Sequence, residues 1–76
     1  MALIANEEEF SGSAKGERNV VVSGSGTAVL EESDGSGGWV TVPNGTFTAP
    51  TASSIRCPLG AVFRFSITGA AVNLSQ

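Results

Sequence analysis

Three carboxylates, one thiol and one indole are the side chains of this sequence that chemistry could use. Glu31, Glu32 and Asp34 lie within four positions, close enough to offer oxygen ligands to calcium. Cys57 is the single thiol, and a reactive thiol needs a basic neighbour. Arg56 is adjacent, but alternation along a strand sends it to the opposite face. There is no His to act as base, which removes the usual route to nucleophilic or general acid–base work at neutral pH. Trp39 could stack on a sugar ring or anchor a core. Against each stands a plainer role, and the plainer role is the expected one. The acids form a solvated hairpin end, Cys57 is a small buried apolar residue, and Trp39 packs against Phe63 or Phe65. No Cys and His set has zinc spacing. Gly24-Ser25-Gly26 lacks the following helix and Lys of a phosphate loop. The expected catalytic, cofactor-binding and metal-binding residues are therefore none, and an enzyme is the least expected function.

The elements that would position such residues are small. The chain has 76 residues, 41% hydrophobic and only 14% charged, with ten Gly, ten Ser and six Thr in place of the missing charge. That length allows one domain. A net charge of −3 argues against nucleic acid as a partner, because a phosphate-binding face needs clustered bases. No apolar run reaches the ~18 residues of a membrane span. The opening Met1-Ala2-Leu3-Ile4-Ala5-Asn6 is too short and uncharged for a secretory signal, so synthesis in a cytoplasm is expected. Cys57 has no partner thiol for an internal disulfide.

Residues 1–17 differ from the rest, with Glu7-Glu8-Glu9 followed by Ser11-Gly12-Ser13-Ala14-Lys15-Gly16. A marginal helix over Leu3–Phe10 or an arm docked on a neighbour both suit this segment. Residues 18–76 read as strands. Asn19–Ser23 is β-branched and closed by Gly24-Ser25-Gly26, and Thr27–Glu32 follows. Ser33–Gly38 is a turn, in which Asp34 bonds the backbone ahead and glycines take positive φ. Trp39–Val42 ends at Pro43-Asn44-Gly45, whose Asn-Gly pair is the strongest hairpin signal in the chain. Thr46–Thr48 and Ser54–Cys57 are short strands. In Ala61–Thr68, Phe63, Phe65 and Ile67 share one face, while Arg64, Ser66 and Thr68 share the other. Gly69-Ala70 turns the chain, and Val72 and Leu74 return to the same core. The expectation is all-β: a small antiparallel β-sandwich or barrel of about seven short strands with an N-terminal arm.

All seven acids lie at or before Asp34, where with Lys15 and Arg18 they leave −5; Gly35 onward carries only Arg56 and Arg64. Acidic and basic parts of neighbouring copies could meet. A short chain with a thin core, little charge and no disulfide usually gains stability by oligomerisation, so a homo-oligomer, trimer or dimer, is expected. The arm, Met1–Gly16, is expected to order on contact with a partner, leaving a chain from Arg18 able to fold alone.

Two resemblances follow. Ser33-Asp34-Gly35-Ser36-Gly37-Gly38-Trp39 loosely resembles the aspartate-box hairpin of sialidase-like β proteins, with Ser36 where that motif has Gly. Leu30–Val42 as a whole, with Phe47-Thr48-Ala49-Pro50, Phe63-Arg64-Phe65 and the ending Val72-Asn73-Leu74-Ser75-Gln76, resembles very short structural proteins of tailed-bacteriophage virions. The likeness spans about residues 20–76 and rests on turn and core motifs. The acidic arm and the Ser that splits the hairpin glycines depart from it. It implies a non-enzymatic virion protein assembled in the host cytoplasm. The first choice is a capsid decoration or cement protein, with the major capsid protein or other virion proteins as partners. A tail, neck or fibre adaptor and a carbohydrate-binding module using Trp39 are the alternatives.

Overall fold

The computed structural model describes residues 1–75; Gln76, the last residue of the ending quoted above, lies outside them. The described residues contain no helix and six strands: β1 (Ala2–Ile4), β2 (Phe10–Ser11), β3 (Glu17–Ser33), β4 (Trp39–Thr48), β5 (Thr51–Arg56) and β6 (Val62–Leu74). All pairings are antiparallel within one sheet. The all-β, antiparallel expectation therefore holds. Strand β3 is the centre. Strand β6 runs along one of its edges; β5 and β4 share the other, β5 beside Glu17–Val22 and β4 beside Thr27–Ser33.

There are fewer and longer strands than the turn signals suggested, because three expected breaks, at Gly24-Ser25-Gly26, Pro43-Asn44-Gly45 and Gly69-Ala70, lie within continuous strands. Gly24 pairs with Ala70 and Thr27 with Thr68, so three steps on β3 face two on β6. Gly24, Gly26 and Gly69 have φ of 87°, 103° and 72°, a region that only glycine enters freely. Both long strands kink together here without reversing. The extra residue also resets which side faces in. Buried positions stay even along β3 (Val20, Val22, Ala28, Leu30), but on β6 they change from Phe63 and Phe65 to Val72 and Leu74.

The Asn44-Gly45 hairpin is likewise a correction. Val29 pairs with Thr46 and Glu31 with Thr41, so two steps on β3 face five on β4. The chain loops outward through Val42–Gly45 opposite Leu30 and rejoins the same strand edge. Asn44 does take the left-handed conformation (φ 59°) that makes Asn-Gly a turn signal. Here it serves a bulge, since β3 continues alongside and recaptures the chain.

The N-terminal segment also departs from expectation. It forms no helix, eight residues being too few to offset the cost of nucleation. Ala2–Ile4 instead pairs with Val72–Leu74, and Phe10–Ser11 with Val62–Phe63. Between them Glu7 N–H donates to Phe65 O at 2.9 Å, and Ile67 N–H donates to Asn6 Oδ1 at 2.7 Å. Residues 2–11 thus lie along the outer edge of β6, in the same sheet as the strands that follow, and the composition boundary at residue 17 falls where β3 begins. Ile4 is buried with Val20, Val22, Ala28, Leu30, Ile55, Cys57, Phe63, Phe65, Val72 and Leu74 in one core. The Phe10 ring stacks on Phe63 and Phe65, each with ring centres 5.8 Å away.

Candidate functional site

The chemistry-bearing residues do not converge. Asp34 sits in the β3–β4 turn, where its Oδ1 accepts from the N–H of Ser36 (2.7 Å) and Gly38 (3.0 Å). Its backbone N–H donates to Gly38 O at 3.0 Å. This is the turn read from the sequence, with Gly35 and Gly37 at φ 82° and 90°. Glu31 and Glu32 are consecutive in β3 and so point to opposite faces. No group of three or more Cys, His, Asp or Glu positioned for a metal occurs among the described residues.

Glu31 belongs to a different cluster, on the outer face. Arg64 lies directly across the ladder from it, and Arg64 Nε donates to Glu31 Oε1 at 2.7 Å. The same guanidinium covers the Trp39 ring at 4.3 Å and reaches Glu7 Oε2 at 4.0 Å. Cation–π stacking contributes about 0.5–1 kcal/mol at exposed sites, and the ion pairs add at most about as much. The cluster clamps β4, β3, β6 and the N-terminal segment together across the sheet.

Trp39 is a correction. It was expected as a buried anchor against Phe63 or Phe65, yet it is half-buried on the outer face. Three extra residues in the β4 bulge invert the side-chain parity. Trp39 and Thr41, which pair with Ser33 and Glu31, therefore share the face of Arg64. Beyond the bulge Phe47 takes the inward place, edge-on to Phe65 with ring centres 6.2 Å apart. The indole face under Arg64 is closed to a sugar.

Cys57 is fully buried, and Arg56 is exposed on the opposite face, as alternation required. Burial pushes the thiol up from 9.0 to about 11, with Arg18 opposing and Glu32 adding. The folded value is the raised one, so this contribution to stability is complete below pH 9 and is lost as pH rises through about 11. Each pKa unit is worth about 1.4 kcal/mol, giving a loss on the order of 3 kcal/mol once pH passes about 11. Denaturant midpoints below pH 9 and near pH 11 should show it, and Cys57→Ala should flatten the difference.

Arg18 is the residue that sequence reasoning missed. Its guanidinium donates to Ser11 O (3.1 and 2.9 Å) and Ser75 O (2.9 Å) and lies 6.0 Å from the Phe10 ring centre. In the sequence it is marked only by its place at the head of the uncharged run Asn19–Leu30. A second outer surface also emerges only from the registers. Leu3 faces Asn73, Asn73 faces Val21, and Val21 faces Ala52. This row crosses four strands without a charge, and Leu3 at one end is 68% exposed.

No protein-family profile matches the chain, and no curated protein or solved structure is significantly similar to it. No helix of the described residues is long and apolar enough to cross a membrane.

Proposed function

We propose that this chain is a non-enzymatic structural module of a phage virion, most simply a cement protein packed on the capsid shell. The charge-free row Leu3–Asn73–Val21–Ala52 carries the packing part of this reading. Adjacent rows of the same face pair Asn19 with Ser54 and Ser23 with Ala71, again without charge. Such a face loses little on desolvation and excludes few partners by repulsion. The side chains with chemical potential are each committed elsewhere: Asp34 to its turn, Glu31 and Arg64 to the clamp, Cys57 to the core. The virion part rests on the sequence resemblance, whose hairpin and aromatic-Arg segment coincide with the turn and the clamp.

The test is the protein content of purified particles. Cement predicts copies in proportion to the shell subunits, and Leu3→Asp should reduce binding to shells lacking the protein. Only a few copies per particle would move the assignment to a tail, neck or fibre adaptor. Absence from particles would overturn both.

A further inference from the structure

We infer that the outer edge of β5 pairs with β5 of a second copy, centred on Ser54, to join two sheets into one. This deepens the packing reading by naming one partner and one surface, and it stands on backbone geometry.

Strand β5 pairs with β3 alone. Cys57 N–H donates to Gly16 O at 2.8 Å, one position beyond the Glu17–Arg56 pair. Antiparallel ladders alternate, so Thr51, Ser53 and Ile55 turn their backbone groups toward β3. Ala52, Ser54 and Arg56 turn theirs away. Among the described residues these outward N–H groups meet no acceptor, and Ser54 O meets only the Ser53 hydroxyl, at 3.5 Å. The other edges are guarded. Strand β4 carries Pro43 and the bulge, and the N-terminal edge breaks at the exposed Glu7, Glu8 and Glu9. Strand β5 has no proline, no bulge and one charge, at its end. Beside it lies a groove of ≈350 Å³ between Ser53–Arg56 and the β4 excursion of Val42–Gly45.

The occupant follows from the register. A two-fold axis must set residues of the same face opposite each other. Centring it on Ser54 pairs Ser54 with its own counterpart, Ala52 with Arg56 and Ser53 with Ile55. That register uses every outward group and forms about six backbone hydrogen bonds. Pro50 and Pro58 stand four residues on either side of Ser54, so the ladder ends at both limits where N–H donors end. Arg56 meets the small Ala52 of the second copy, and no like charges oppose each other. A foreign strand would match the backbone but has no reason to share this symmetry.

Sedimentation equilibrium of the full chain tests it. The wild type should be a concentration-dependent dimer. Ala52→Lys sets an ammonium against Arg56 of the second copy and should weaken the dimer; Ala52→Glu should tighten it. The pair occurs twice by symmetry, so the two dissociation constants should differ by roughly tenfold. Ser54→Pro removes the central outward N–H but no bond to β3, and should yield a monomer with an unchanged circular dichroism spectrum. If Ser54→Pro does not fold, the exposed Ala52 pair still decides. A wild-type monomer at every concentration overturns the inference, as do Ala52 variants that leave the constant unchanged or move it in the same direction. A monomer that still decorates particles would remove β5 pairing alone; a dimer absent from particles would remove the virion reading alone.

Discussion

Removing residues 1–11 should abolish cooperative folding. The deletion takes Ile4 out of the core and uncovers Phe63 and Phe65, on which Phe10 stacks. Burial of each large apolar side chain contributes about 1.5–3 kcal/mol, so two account for roughly 3–6. A domain of this size holds on the order of 4–11 kcal/mol in all. The deletion also strips β6 of the bonds from Ala2–Ile4, Phe10–Ser11, Glu7 and Asn6, leaving a bare edge prone to aggregation. Thermal melting by circular dichroism and gel filtration should show a shallow or absent transition and large species. A cooperative melt within a few degrees of the full chain would show that the segment is a dispensable arm, as its composition suggested.

Gly26→Ala should destabilise the protein by about 3 kcal/mol or more. Gly26 has φ 103°, and an added Cβ would lie 2.0 Å from Thr68 O. Because that oxygen belongs to the paired backbone of β6, the clash is relieved only by parting the central ladder. Backbone strain of this kind costs on the order of 1–3 kcal/mol before any clash. Gly35→Ala is the control: φ is 82°, but nothing lies within 4 Å of the added Cβ, so only the conformational cost of about 1 kcal/mol remains. Denaturant unfolding of the pair separates steric from conformational cost. Equal losses would show that the close approach of β3 and β6 at the kink does not limit stability.

The kink shows why glycine signals were legible but their meaning was not. Gly24-Ser25-Gly26, Gly69-Ala70 and Asn44-Gly45 each announce backbone at or near positive φ, and the structure has it at Gly24, Gly26, Gly69 and Asn44. A turn and a bulge both use that conformation. What separates them is whether a neighbouring strand continues past the site, and that strand lies far along the chain. The Ser33–Gly38 turn was legible because its closing interactions are local, from Asp34 to Ser36 and Gly38.

Trp39 makes the same point about faces. Period-two alternation correctly placed Phe63 and Phe65 inward, Arg64 outward, and Cys57 inside with Arg56 outside. It works between bulges and fails across them, because an odd number of added residues exchanges the two faces. Trp39 and Phe47 sit on either side of such an insertion, so Trp39 falls on the outer face while Phe47 turns inward.

By itself the sequence determined most of the strand-forming segments after residue 17, the Ser33–Gly38 turn, the buried thiol and the all-β class, since each depends on side-chain type and on neighbours a few residues away. Only the tertiary structure decided that the acidic segment closes the edge of β6, that Arg64 joins Trp39, Glu31 and Glu7, and that β5 keeps a free edge. These depend on strand register, which pairs residues such as Glu7 and Phe65 that local preference cannot connect.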